Sequence, residues 1–344
     1  MYSSLKAITE EVGMEKPLDR RSFLKITGTT LGAGALYQVG AAVGLDPQGL
    51  ALVDRLGRQN GERVTPFSFV QLSDTHVGFE GPPNPLGTKA FEQAVAAVNA
   101  LPIQPDLILV TGDLTHDSEK EGESLTRMRR FQEIAGRLRV KNVKVVPGEH
   151  DAGLDGGQLY RTVFGPSHYA FDHRGVHFVA LDNVSQGKPV VGPEQIDWLR
   201  KDLARFGDNT PIVVFTHRPL FDLKPEWEWY TGDGDEVMNI LAPYRNVTVL
   251  YGHIHRSHEF QNGHARHLAA RSLIFAFPDP ALTEDKKPLP FVPSAPFQNL
   301  GIRRLDLSIQ GTRPILGVSE VELSSGEFAG TVGIQQILKG DESL

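Results

Sequence analysis

Acidic and histidine side chains recur in this chain at the ends of short apolar runs. Asp74-Thr75-His76 follows FSFVQLS, Gly112-Asp113 follows DLILVT, and Gly148-Glu149-His150-Asp151 follows VKVVP. His217 follows PIVVFT, and Gly252-His253-Ile254-His255 follows NVTVLY. In an extended chain, side chains two residues apart point the same way, so each D-x-H or H-x-H pair can grip one metal or two neighbouring ones. Carboxylates and neutral imidazoles suit Fe, Mn or Zn, and Asp74, His76, Asp113, Glu149, His217, His253 and His255 suffice for two ions. Two ions about 3.5–4 Å apart, bridged by a carboxylate and a hydroxide, are suited to in-line attack on phosphorus.

For these residues to meet, the runs that carry them must lie side by side. FSFVQLS, DLILVTG, VKVVPG, HFVALDN, PIVVFTH and NVTVLYGH are β-branched, apolar and of strand length. Between them, 88–101, 118–138 and 194–206 read as amphipathic helices; Ile196, Trp198, Leu199 and Leu203 recur at helical spacing in the last. Strands alternating with helices predict an α/β layered domain, in which loops beyond the carboxyl ends of the strands share one crevice. HYAFDHRGVHFVALDN reads as a hairpin turning at Arg174-Gly175, and GIRRLDLSI and SEVELSS alternate like antiparallel strands at a sheet edge. The stretch 274–301 is proline-rich and aperiodic, as lids and surface excursions are.

The ordered set DTH, GD, GEHD, TH and GHIH resembles that of the calcineurin-like metallophosphoesterases, over roughly residues 65–258. The resemblance implies a four-layered α/β/β/α sandwich and an enzyme that hydrolyses a phosphodiester or nucleotide-type phosphoester. It implies Asp74, His76 and His255 on a first metal, His217 and His253 on a second, and Asp113 bridging them, the metals being Fe paired with Fe, Mn or Zn. It further implies His150 as the group that protonates the leaving oxygen, with Asp151 orienting it. The family's usual motif is GNHD, so Glu149 stands where an asparagine ligand of the second metal is expected. A carboxylate there lowers the positive charge of the site. A trivalent ion, a monoanionic diester substrate, or drift away from phosphoester chemistry toward a non-hydrolytic metal-binding protein would each accommodate it.

Other residues carry weaker signals. His116 follows the GD loop and is placed to face substrate, whereas Asp117, His168, His173, His177, His258, His264 and His267 read as surface or packing residues. Arg218 and Arg256 adjoin expected ligands, and either a phosphate contact or an ordinary ion pair would explain them. In PEWEWYTGDGDE, Trp227, Trp229 or Tyr230 would either stack a nucleobase or pack the loop onto the domain.

Bulk properties exclude several alternatives. A formal net charge of −7 over 344 residues argues against stable nucleic-acid binding, which needs an excess of Lys and Arg. Cysteine is absent, which removes disulfides, thiolate catalysis and Cys-ligated metals. At the N-terminus, Arg20-Arg21-Ser22-Phe23-Leu24-Lys25 ahead of the Gly-rich apolar run 26–45 resembles a twin-arginine export signal. That resemblance implies periplasmic or secreted localisation, with the twin-arginine machinery as partner and cleavage near Ala41 or Ala42. A membrane anchor is the alternative, since about 20 apolar residues can span a bilayer. The expected organisation is a signal at 1–45, a linker at 46–64, the catalytic domain at 65–320, and a C-terminal strand and tail at 321–344.

Overall fold

The computed structural model describes residues 64–310 and 313–323. The expected signal, the linker up to 63 and the tail from 324 lie outside the described residues.

Two sheets face one another. The first has the order β11-β10-β1-β2-β3 and contains β1 (Phe67–Leu72), β2 (Leu107–Thr111), β3 (Val143–Val146), β10 (Gly301–Gln310) and β11 (Arg313–Glu322). The second has the order β4-β5-β6-β7-β9-β8 and contains β4 (Tyr169–His173), β5 (Val176–Ala180), β6 (Pro211–Phe215), β7 (Asn246–Tyr251), β8 (His258–Asn262) and β9 (Ala265–Ala269). β1, β2 and β3 are parallel, as are β5, β6, β7 and β9, so both sets deliver their carboxyl ends to one edge of the molecule. Antiparallel strands close the flanks at β11, β4 and β8, and the fourth flank is the parallel strand β3.

Period-two alternation places the layers. Phe67, Phe69, Leu107, Leu109, Val213 and Phe215 point between the sheets, where they meet Phe178, Leu250, Leu268 and Leu305. The alternate residues Val70, Leu72, Ile108 and Val110 point outward beneath α1 (Gly87–Ala100) and α2 (Glu123–Ala135). After α3 (Glu149–Ala152) and α4 (Gln158–Phe164), the opposite side is covered by α5 (Pro193–Leu203) and α6 (Gly234–Leu241), under which Ile212, Val214, Val247 and Val249 pack. Strands buried on both faces explain why these runs read as almost continuously apolar. The four-layered α/β/β/α sandwich is therefore present.

The β4–β5 hairpin turns at Arg174 (φ 49°) and Gly175 (φ 80°), two consecutive left-handed residues that match the twist of the flanking strands. The helix expected over 118–138 is shorter, because its first residues form the loop that carries His116 and Asp117 past the site. The strand expected after 320 begins at Arg313 and pairs along its length with β10, so a domain boundary at 320 would cut it. β8, β9 and α6 were not expected as elements. Among the described residues no helix is long and apolar enough to cross a membrane.

Candidate metal centre

The loops after β1, β2, β3, β6 and β7 meet at one edge and bring the expected ligands together. The Asp74 backbone N–H donates to Gly112 O (3.1 Å) and that of His76 to Asp113 O (2.9 Å), which locks the first two loops side by side. Five of the seven residues, Asp74, His76, Asp113, His253 and His255, have positive φ between 39° and 66°. Non-glycine residues avoid that region at a cost of order 1–3 kcal/mol each, so the surrounding hydrogen bonds must hold them there. The glycines of the motifs have a related origin: a Cβ on Gly148 would overlap Asp113 Oδ1, and one on Gly252 would overlap Ser73 Oγ.

The donor atoms fall into two groups joined at Asp113. Asp74, His76, Asp113 and His255 offer ligating atoms within 4.8 Å of one another, and so do Glu149, His217 and His253. Asp113 Oδ2 lies 3.2 Å from His76 Nε2 and 3.4 Å from His217 Nε2. His255 Nε2 is 3.3 Å from Asp74 Oδ1, and His253 Nδ1 is 2.8 Å from Glu149 Oε1.

The far nitrogens of three histidines identify what these contacts are for. His217 Nδ1 donates to Thr111 O (2.8 Å), His253 Nε2 to Glu228 O (3.1 Å) and His255 Nδ1 to Phe275 O (3.0 Å). Carbonyls only accept, so in each neutral ring the proton sits on the outer nitrogen and the inner one presents a lone pair. Those lone pairs face carboxylate oxygens, an arrangement that is repulsive unless a cation or a proton lies between. His76 Nε2, His217 Nε2 and Glu149 Oε2 are buried with no aligned hydrogen-bond partner, although the last two approach to 2.7 Å. The residues thus fit a pair of metal ions.

Electrostatics agree. Burial alone would raise the carboxyl pKa values of Asp74, Asp113 and Glu149, yet the surrounding histidines outweigh it and hold all three below the ordinary carboxylate range. Burial pushes His76 and His253 toward the neutral, ligating form. Burial has the same sense at His217, but Asp113 and Glu149 overcome it and pull its pKa up.

His150 stands beside both groups. Its backbone N–H donates to Asp113 Oδ1 (3.0 Å), and its ring is edge-on to His76 (4.8 Å) and stacked on His116 (4.5 Å). The residue that orients it is Asp117, whose Oδ1 accepts from His150 Nδ1. This corrects the expectation for Asp151, whose carboxylate points the other way. Asp151 accepts the backbone N–H groups of Gly148, Leu114 and Thr115, each at 2.9 Å, and the Thr115 hydroxyl. It therefore ties the GEHD loop to the GD loop, and burial with the nearby Asp113 charge raises its pKa to about 7. Burial lowers His150, but Asp113, the hydrogen bond with Asp117, and Glu149 prevail and raise it to about 9.

Three further neighbours were not expected as part of the site. Glu228 supplies the carbonyl for His253 from a left-handed conformation (φ 59°), Phe275 of the proline-rich stretch supplies the carbonyl for His255, and Lys286 of the same stretch donates to Trp227 O (2.7 Å). Periodicity carries no signal for such backbone roles. Asp117, which reads from sequence as a surface or packing residue, is the partner that the sequence missed. Trp227 and Trp229 are buried against each other and against Tyr251 and Ile254, so they pack the loop and stack no ligand. Arg256 turns to Asp279 (3.0 Å) and Arg218 to Glu149 (3.5 Å).

Comparison with known proteins points the same way. Residues 67–257 match the profile of the family described as calcineurin-like phosphoesterases. The chain is 29% identical over 223 residues to the 3',5'-cyclic adenosine monophosphate phosphodiesterase CpdA of Pseudomonas aeruginosa, covering 60% of this chain and 76% of that protein. It is 27% identical over 201 residues to a probable glycerophosphodiester phosphodiesterase GpdQ of Arcobacter nitrofigilis, covering 54% and 71%. In fold it is similar to purple acid phosphatase PPD1 of yellow lupin (TM-score 0.50, 13% identity, 77% of this chain and 53% of that one). It is also similar to GAP50, the anchor in the inner membrane complex of Plasmodium (TM-score 0.50, 14% identity, 79% and 94%).

Proposed function

Because the chain belongs to the calcineurin-like phosphoesterase family, we propose that it is an exported phosphodiesterase whose substrate is a small phosphodiester of the nucleotide or glycerol type. Hydrolysis of phosphoric esters with the help of metal ions is the activity of that family, and the relatives are named as phosphodiesterases. The observation that carries the reading is the set of inward histidine nitrogens aimed at carboxylates while their outer nitrogens are tied to carbonyls.

In this reading Asp74, His76 and His255 would hold one ion and Glu149, His217 and His253 the other, with Asp113 placed between the two groups. When bound, such ions polarise phosphoryl oxygens and deprotonate a water near neutral pH. His150 acts as the general acid, with Nδ1 held by Asp117 and Nε2 free to give its proton to the leaving oxygen. Asp151 fixes the backbone of that loop and so the distance of His150 from Asp113.

The test loads the protein with Mn, Zn or Fe, counts ions per chain, and measures turnover of an aryl phosphodiester, 3',5'-cyclic AMP, a glycerophosphodiester and an aryl monoester. Two ions with diester turnover above monoester turnover is the expected result. Two ions with no turnover of any ester would favour a non-hydrolytic metal protein. Export rests on Arg20-Arg21 and the apolar run behind them. Replacing both arginines by lysine should retain the protein in the cytoplasm, and unchanged export would refute that part.

A further inference from the structure

Glu149 is the residue at which this chain departs from the family motif, and its surroundings show how the departure is accommodated. One oxygen, Oε2, lies 2.7 Å from His217 Nε2; the other, Oε1, lies 2.8 Å from His253 Nδ1 and 3.5 Å from Arg218 Nη2. Arg218 is itself buried, its side chain 8% exposed. Its Nη1 donates to Glu228 O (2.7 Å), the same carbonyl that holds His253. The Asn183 side chain clamps its backbone, accepting from Arg218 N (3.2 Å) and donating to Arg218 O (3.0 Å). A buried guanidinium needs an anionic partner, and Glu149 is the carboxylate it faces.

With an amide at 149, two divalent ions would be opposed by Asp74 and Asp113 alone. Glu149 adds a third carboxylate, and Arg218 cancels it at a distance of one ion pair. The site then presents an anionic substrate with the same balance of charge as the usual pattern, and no trivalent ion is needed.

We propose that Arg218 is a specificity-determining residue that acts by neutralising Glu149, so that the centre keeps its attraction for an anionic phosphoester while the second ion gains a carboxylate ligand. The proposal rests on the phosphoesterase reading for its substrate. Its charge relation is separable from that reading and is read by binding alone.

The experiment measures two affinities by calorimetry: Mn(II) for the metal-free protein, and inorganic phosphate for the Mn-loaded protein. It compares wild type, Arg218→Met, Glu149→Gln and the double variant. A unit charge removed several ångströms from the bound ion and anion should move each affinity by about tenfold. Arg218→Met should weaken phosphate and tighten Mn(II), and Glu149→Gln should do the reverse. The double variant should lie within about threefold of wild type for both ligands. A residue that merely braced the loop would lower both affinities together, so parallel losses in Arg218→Met would overturn the proposal, as would unchanged affinities.

Two further variants guard against a folding failure in Arg218→Met. Arg218→Lys keeps the charge without the fork and should hold phosphate affinity within about threefold. Glu149→Gln alone must still tighten phosphate, and its failure to do so would also overturn the proposal. If the wild type binds Mn(II) and phosphate with the expected couplings yet hydrolyses no ester, the hydrolytic reading fails and the charge relation stands.

Discussion

The two halves of the candidate metal centre are built differently. The half formed by Asp74, His76 and His255 is closed: all three residues are almost fully buried, all have left-handed backbone, and the Asp74 carboxylate also accepts the backbone N–H of His253 at 3.1 Å. The half formed by Glu149, His217 and His253 opens outward. Glu149 is 28% exposed, Arg218 approaches it from the position beside His217, and Glu228 and Lys286 come in from segments beyond the core motifs. A closed half, in which backbone and ligand share the same hydrogen bonds, leaves no freedom to vary a side chain. An open half leaves room for an added carboxylate with a counter-charge beside it, and Glu149 with Arg218 is such a pair.

Breaking both halves at once should have the largest effect. Asp113 touches His76 and His217 and accepts from the His150 backbone. Asp113→Ala should lose both ions by elemental analysis and reduce turnover by about 10³-fold or more. Retention of either ion at full occupancy would show that the halves do not depend on the shared carboxylate.

Leaving both halves intact and removing the acid comes next. His150→Ala should keep two ions yet lose about 10²–10⁴-fold on esters with poor leaving groups, and much less on good ones. Asp117→Asn should show the same leaving-group dependence on a smaller scale. Asp151→Asn should show none of it and should instead lower the melting temperature, because one amide oxygen replaces the two carboxyl oxygens that serve four donors. A leaving-group effect in Asp151→Asn would restore the role expected from sequence.

Altering only the open half should do less. Glu149→Asn should retain the first ion, bind the second more weakly, and raise the ratio of monoester to diester turnover several-fold as the site gains positive charge. An unchanged ratio and unchanged stoichiometry would place Glu149 outside the ligand set. The smallest effect concerns the metal-free protein. His150 has a folded pKa of about 9, above the ordinary histidine value of about 6.5. Its contribution to stability is therefore complete below pH 6.5 and is lost as pH rises through 9. The melting temperature should fall across that window, and Asp117→Asn should shrink the fall.

The contrast between the halves also marks what could be read in advance. That the seven residues expected as ligands converge was legible because each lies at or just beyond the end of a strand-like run, and the strands that carry them were legible because burial on both faces makes them continuously apolar. Asp151 misled because adjacency in GEHD suggests partnership, whereas the short helix Glu149–Ala152 turns neighbouring side chains apart and aims Asp151 back at the GD loop. Asp117, 33 residues before His150, fills the role through a long-range contact that local spacing does not encode. The carbonyls of Glu228 and Phe275 act through backbone, where residue type says little. The strands Gly301–Gln310 and Arg313–Glu322 were legible as a sheet edge from their alternation, although the extent of the second was not.

The most direct measurement is an anomalous difference map from crystals grown with Mn(II), recorded near the manganese edge. The expected result is two peaks, one enclosed by Asp74, His76, His255 and Asp113, the other by Asp113, Glu149, His217 and His253, with Arg218 still against Glu149. A single peak, or a second peak with Glu149 turned away to solvent, would contradict the assignment of Glu149 as a ligand whose charge Arg218 offsets.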